Sequence, residues 1–219
     1  AGMRKVSRWF QRNLIRIYAG VAFTYLFIPV AYTFAFSFND SRKSNLVWQG
    51  FTLENWQNPC GAPEICTALG NSIKIGFLAT LFSTILGTMI AFAIGRYHFK
   101  GRSTTNLLIF LPMATPEIVL GASLLSLFLV FQINPGFWPT VIAHVLFCVS
   151  FVVVTVKARI ASLDPRLEQA AMDLYANERE TFRRVTLPLV APGIAAAALL
   201  AFSLSFDDFI ITNFNSGTM

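Results

Sequence analysis

Three acidic residues lie within long apolar runs, where a charged side chain is costly. Glu117 belongs to the segment PMATPEIVLG, and the adjacent Asp207 and Asp208 belong to the segment SLSFDDFIITNF. A charge at the centre of a bilayer costs about 2.5–3.5 kcal/mol on insertion scales, so such groups usually face a cavity or a partner. A membrane path that carries negative charge favours a cationic substrate.

Polar and aromatic residues accompany the two aspartates at helical spacing. One helical row joins Ser203 to Asp207, and a second joins Ser205, Asp208 and Thr212. Nearby phenylalanine rings add apolar enclosure and cation–π contact for a cationic ligand. The predicted substrate pathway consists of Glu117, Asp207, Asp208, Ser203, Ser205 and Phe206.

A structural role for one of the three carboxylates is the alternative. It would pair with Lys74, which also lies in an apolar run, or cap a helix broken at Pro112 and Pro116. Prolines lack the backbone N–H donor, so each of these two leaves a helix carbonyl without its partner. Such carbonyls line a cavity in one interpretation, and in the other the prolines produce an ordinary packed kink.

The composition is that of a membrane protein. Of 219 residues, 55% are hydrophobic and 13% charged, against about 25% charged in soluble domains. The mean hydropathy is +0.59. Runs of about 20 apolar residues cross a bilayer as helices. We therefore predict an all-α, polytopic protein with one transmembrane domain over residues 1–219 and five spans, at about 14–38, 69–95, 105–131, 138–157 and 187–212.

The basic residues predict the orientation. Fourteen Lys and Arg residues fall in the N-terminal segment and in the loops on that same side, whereas the opposite loops hold only Arg42 and Lys43. Short loops rich in Lys and Arg stay cytoplasmic, so the N-terminus is predicted inside. The asymmetry also explains the net charge of +6 without a nucleic-acid partner.

The three cysteines differ in their expected environment. Cys60 and Cys66 lie in the long outer loop, where a disulfide and two free thiols are equally compatible with the spacing. Cys148 lies in the fourth run and is expected to pack as a small residue. His98 and His144 are far in sequence from any cysteine or carboxylate cluster, so we predict no metal site.

A patterned, charged loop over about 158–193 separates the last two spans. Asp164 and Pro165 predict a helix start, and LEQAAMDLYA follows from residue 167 with an apolar face at helical spacing. A second short helix is expected at about 178–185, with Pro188 breaking the pattern before the fifth span.

This loop resembles the EAA loop of ABC importer permeases, in which Glu-Ala-Ala and Gly precede Leu-Pro and Pro-Gly. The position of the family's Glu is Gln169, directly after Glu168, and that of its Gly is Tyr175. Because Tyr is disfavoured in a left-handed turn, we expect a wider turn there. The candidate coupling residues are Glu168, Gln169, Ala170, Ala171, Asp173, Leu174, Tyr175, Ala176, Phe182, Arg183 and Pro188.

The two acidic segments and FVVVTVKARI at 151–160 resemble the second, C-type membrane subunit of spermidine/putrescine importers. The resemblance implies the type I importer permease fold, with six spans of which this chain would lack the last. It further implies a second permease, two ATPase subunits that hold ATP and Mg, and an extracytoplasmic binding protein. The chain itself would be no enzyme, since it has no GxxxxGK phosphate loop, and would lie in the bacterial inner membrane.

Three other interpretations remain open. In a proton-coupled secondary transporter, the three carboxylates would relay protons and the patterned loop would be unnecessary. A related importer permease would carry another amine or an amino-acid-like solute. A purely structural membrane protein would leave the intramembrane acids unexplained.

Overall fold

The computed structural model describes residues 2–41, 46–61 and 63–217, with side chains from residue 13 onward except that of Pro63. Arg42 and Lys43 of the outer loop lie outside this part. The described chain is helical, and its β-structure is a single bridge between Asn39 and Phe51. The helices are α1 (Gly2–Phe36), α2 (Glu54–Gln57), α3 (Pro63–Arg96), α4 (Arg102–Ala114), α5 (Glu117–Val130), α6 (Phe137–Ala161), α7 (Arg166–Asp173), α8 (Glu178–Thr181), α9 (Leu187–Asp207) and α10 (Ile210–Asn215).

The expected membrane spans are present. Four described helices are long and apolar enough to cross a membrane, and the bent pair α4–α5 makes a fifth span if it is counted as one. The prediction of an all-helical polytopic protein is confirmed, and the number of spans is the predicted five when the bent pair is counted as one. The chain divides into two compact units, residues 1–66 and 67–219.

The first unit contains α1, α2 and described parts of the segment between α1 and α3. The side chain of Asn39 is buried, accepts from Gln49 N at 2.7 Å and donates to Val47 O at 2.9 Å. The ring of Trp56 stacks on that of Phe38 at 5.7 Å between centroids. A disulfide joins Cys60 to Cys66, which decides between the two alternatives for these thiols.

In the second unit, α6 is the central helix and packs most extensively against α9. Val152 and Val156 of α6, and Ala197 and Ala201 of α9, are completely buried. Small residues at four-residue spacing let two membrane helices approach closely. Cys148 belongs to the same interface, as expected for a packing residue, with Sγ 3.5 Å from Ala201 O.

The third predicted span is broken rather than continuous. Helices α4 and α5 meet at an angle of 108°. The residue before a proline is pushed out of the helical region, and Thr115, which precedes Pro116, is extended at φ −83°, ψ 133°. Its hydroxyl donates to Leu111 O at 2.7 Å, which satisfies a carbonyl at the helix end. Glu117 therefore begins a new helix instead of lying within one.

Two further predictions about the last span are wrong in detail. Pro188 does not break the helix: a π-helical turn, Phe182–Thr186, joins α8 directly to α9. The wider turn uses a bond from Leu187 N to Phe182 O, and Pro188 then stands in the first turn of α9, where its missing donor is tolerated. The span is instead interrupted at Asp208 and Phe209, before α10.

Candidate functional site

The three intramembrane carboxylates line one cavity. It measures about 300 Å³, and Glu117, Asp207 and Asp208 contribute to its wall together with Ser203 and Phe209. Glu117 reaches it from the N-terminus of α5, and the aspartates reach it from the end of α9. Two helix interruptions thus bring together acids that are 90 residues apart in the sequence.

An adjoining cavity shares the same aspartates. It measures about 190 Å³ and is lined by Asp207 and Asp208 with Ser205, Phe206 and Thr212, among others. All six residues of the predicted pathway therefore lie at one of two cavities that meet at the aspartates. Their role in a substrate pathway stays a prediction.

Asp208 has a structural role as well. Its Oδ1 accepts a hydrogen bond from Ile211 N at 2.7 Å, which satisfies a free donor in the first turn of α10. Its Oδ2 is buried without a hydrogen-bond partner among the described residues. The capped break is at Asp208 rather than at the prolines near Glu117, and Lys74 is exposed and forms no ion pair with any described carboxylate. One carboxylate oxygen of Asp208 thus caps α10, while the other has no hydrogen-bond donor among the described residues.

The rows of polar residues predicted on the last span do not form one continuous face. The helix ends at Asp207, so the row through Ser205, Asp208 and Thr212 crosses the break. Ser205 is 4% exposed, and its hydroxyl bonds to His144 of α6, which places it in the wall rather than in the open path. No residue pattern in the segment around the two aspartates indicates that Ser205 would bond to His144.

The loop between α6 and α9 folds as a helix, a turn and a second helix. Asp164 Oδ1 accepts from Arg166 N at 2.9 Å, as expected for a residue at a helix start. Asn177 and Glu180 form a reciprocal capping box that begins α8. Both short helices predicted from the sequence are therefore present, with the second continued by the π turn.

Tyr175 forms the turn between these helices in a left-handed conformation, with φ 64°. Tyr175 N donates to Met172 O at 3.0 Å and Ala176 N donates to Ala171 O at 3.2 Å. These two bonds define a Schellman motif, in which Gly is the usual left-handed residue. The expected wider turn is wrong: the tight turn is kept, and Tyr175 bears the steric cost of a left-handed backbone. Its side chain is 99% exposed.

Several candidate coupling residues are exposed around this turn, and others are not. Leu174 is 82% exposed, whereas Ala171 is half-buried. Phe182 packs edge-on against Phe92 of α3, with 5.3 Å between ring centroids, so it attaches the loop to a membrane helix. The exposed members are Gln169, Ala170, Asp173, Leu174, Tyr175, Phe182, Arg183 and Pro188.

Glu168 points toward the membrane helices rather than outward. It forms an ion pair with Arg96 at the end of α3 and accepts from Thr186 Oγ1 at 2.6 Å. Arg96 also donates to Thr186 Oγ1 at 3.3 Å. This three-residue cluster ties α7 to α3 and to the start of α9. Arg96 and Thr186 could not be identified from the sequence, because Glu168 lies 72 positions from Arg96 and 18 positions from Thr186.

Gly193, which follows Pro192 inside α9, packs closely against α6. Arg159 of α6 donates from Nε and Nη2 to Leu189 O, at 3.0 and 2.8 Å. Its side chain lies flat on Gly193, where an added Cβ would be 2.5 Å from Arg159 Cγ. A glycine thus lets the C-terminal end of α6 meet the N-terminal part of α9.

Known proteins are similar to this chain in sequence. Residues 67–215 match the family described as binding-protein-dependent transport system inner membrane component. The spermidine/putrescine transport system permease protein PotC of Haemophilus influenzae is 37% identical over 212 residues, covering 97% of this chain and 81% of the relative. The putrescine transport system permease protein PotI of Escherichia coli K12 is 36% identical over 205 residues, covering 90% and 72%.

A solved structure shares the fold at low identity. It is the crystal structure of a bacterial ABC transporter involved in the import of the acidic polysaccharide alginate. The TM-score is 0.65 at 12% identity, with 97% of this chain and 84% of that chain covered. At this identity the likeness supports the architecture and carries no argument about the substrate.

Proposed function

Because the chain belongs to the family of binding-protein-dependent transport system inner membrane components, we propose that it forms part of the path by which an ABC importer brings polyamines into the cytoplasm. It is a multi-pass inner-membrane permease and a transport component rather than a catalytic subunit. The observation that best supports this proposal is that Glu117, Asp207 and Asp208 line one cavity among the apolar helices.

The charge of that cavity supports an amine substrate. Its described lining contains three acidic side chains and no basic one. A polyamine carries several ammonium groups on an apolar stem, so it suits spaced carboxylates beside aromatic rings such as Phe209. The relatives are spermidine and putrescine permeases by name, and spermidine or putrescine is therefore the substrate class we propose.

The loop that contains α7 and α8 is the proposed contact with the motor. Its exposed apolar tip, Leu174 and Tyr175, offers a surface for a groove on a separate ATPase subunit. The cluster of Glu168 with Arg96 and Thr186 would carry a displacement of α7 into two membrane helices. Movement of the loop would thereby open or close the acidic cavity.

The working assembly would contain this chain, a second permease subunit and two ATPase subunits, with ATP and Mg bound by the latter. An extracytoplasmic binding protein would deliver the amine. The N-terminus and the coupling loop would be cytoplasmic, in agreement with the excess of basic residues on that side.

The test is ATP hydrolysis and uptake by the complete complex in proteoliposomes with the loaded binding protein. A panel of spermidine, putrescine, a monoamine and a neutral amino acid should give the strongest stimulation with the polyamines. Stimulation by the neutral amino acid alone would contradict the substrate class. Uptake driven by a proton gradient without ATP would instead favour a secondary transporter.

A further inference from the structure

His144 is a completely buried histidine whose two ring nitrogens both have partners. The Nδ1 atom lies 2.9 Å from Ser205 Oγ of α9, and the Nε2 atom lies 2.9 Å from Thr212 Oγ1 of α10. One side chain of α6 thus bonds to both sides of the helix break that contains Asp208.

The packing of α6 on α9 explains how the imidazole reaches this place. Cys148 meets Ala201, and one turn away on each helix His144 meets Ser205. The helices run antiparallel, so each step of four residues backward on α6 matches a step of four forward on α9. Ala201 is small enough to let the helices approach until the imidazole nitrogen and the serine hydroxyl are within bonding distance.

The hydrogen bonds have a defined direction. Thr212 Oγ1 donates its proton to the backbone carbonyl of Asp208 at 2.9 Å, so it accepts from His144 Nε2. The imidazole then carries its proton on Nε2, and Nδ1 accepts from Ser205. A chain of three bonds therefore leads from α9 through His144 to the carbonyl of Asp208.

Helix α10 is also fixed against the helix that begins with Glu117. Asn215 Nδ2 donates to Gly121 O of α5 at 3.5 Å. A Cβ on Gly121 would lie 3.0 Å from Phe214 Cδ2, so the two helices are in close contact. Helix α10 therefore connects the break that contains the two aspartates to α5, the helix that begins with Glu117.

We propose that His144 is a positioning residue that holds the α9–α10 break so that Asp207 and Asp208 face the polyamine path. It lines neither acidic cavity, so it acts through Ser205 and Thr212. This inference rests on the proposed function, because it assigns to the aspartates a part in passage of the amine.

The experiment measures polyamine imported per ATP hydrolysed by the complete transporter in proteoliposomes. His144→Leu and the near-isosteric Thr212→Val each remove two of the three bonds of the chain. Each should therefore lower this ratio at least about fivefold, which is the size expected for the loss of one buried hydrogen bond. Stimulation of ATP hydrolysis by the loaded binding protein should stay within about twofold of the wild type, because the coupling loop is untouched. Thr212→Ser keeps the hydroxyl and should restore the wild-type ratio.

Thr140→Val is the matched control. Thr140 is also buried on α6, one turn from His144. Among the described residues, its hydroxyl bonds only to Gly136 O, within the same stretch of chain. Its ratio should be that of the wild type. The positioning role would be overturned if Thr140→Val lowered the import ratio as much as Thr212→Val does, or if Thr212→Val kept the wild-type ratio. If His144→Leu does not assemble, the ratio of Thr212→Val alone tests the role.

A reference variant separates this inference from the proposed function. Asp207→Asn combined with Asp208→Asn should lower the ratio by itself. If it does and Thr212→Val does not, the positioning role fails and the proposed path stands. If the double variant imports polyamine at the wild-type ratio, the proposed path fails, and the positioning inference fails with it.

Discussion

Replacing Gly193 by alanine tests whether the C-terminal end of α6 must touch the N-terminal part of α9. The new Cβ would lie 2.5 Å from Arg159 Cγ and 2.6 Å from Arg159 Cβ. Carbon atoms attract best at about 3.5–4.0 Å, so the helices must separate by about 1 Å. Overpacking of this kind costs about 1–3 kcal/mol. The separation would also stretch the two bonds from Arg159 to Leu189 O.

Gly95→Ala is the matched control because it faces the same end of α6. An added Cβ there would be 3.4 Å from Ile160 Cγ2, close to ordinary contact. Both substitutions replace a helical glycine and gain similar helix propensity. At about 2–4 °C per kcal/mol for a chain of this size, Gly193→Ala should lower the melting temperature by about 2–12 °C relative to Gly95→Ala.

The assay is thermal unfolding of the two purified variants in detergent, followed by ATP-driven uptake in the complete complex. We expect Gly193→Ala to unfold at a lower temperature and to import less substrate per ATP hydrolysed. Gly95→Ala should resemble the wild type in both measurements. Equal melting temperatures would refute the argument that the glycine is required for the approach of Arg159.

Two further substitutions test the coupling loop. Tyr175→Gly should raise the melting temperature of the isolated chain slightly, because a left-handed non-glycine residue costs about 1–2 kcal/mol and the exposed ring loses no packing. The larger backbone entropy of unfolded glycine offsets part of this gain. A lower melting temperature would contradict the claim that Tyr175 is strained. Arg96→Glu and Glu168→Arg should each reduce polyamine-stimulated ATP hydrolysis about fivefold at most, because the pair is partly exposed, and the double exchange should recover most of it. No recovery would mean that the pairing of charges is not what links α7 to α3.

The helices could be predicted from the sequence because their signals are local. Apolar run length identified the five spans, and Asp164 with the small residues after it identified α7. The break before Glu117 was only partly predictable. Pro116 signals an interruption, but a proline in a membrane helix is compatible with a mild kink or with the 108° bend that is present.

The contacts that position the site were not predictable, because they join residues far apart in the sequence. His144 showed no pattern typical of a binding site, and only the packing of α6 on α9 brings it to Ser205. Arg96 and Glu168 likewise meet only after α3 and α7 are placed. The break at Asp208 has no proline or glycine to announce it, and depends on the carboxylate that caps α10.

The most direct test of the acidic path is uptake of spermidine and putrescine by the reconstituted complex with both aspartates neutralised. Asn is nearly isosteric and still caps helices, so Asp208→Asn retains the acceptor for Ile211 N. Glu54→Gln, an exposed acid of the outer loop, is the control. We expect the complex with Asp207→Asn and Asp208→Asn to import far less polyamine per ATP hydrolysed than the control. Import equal to that of the control would contradict it.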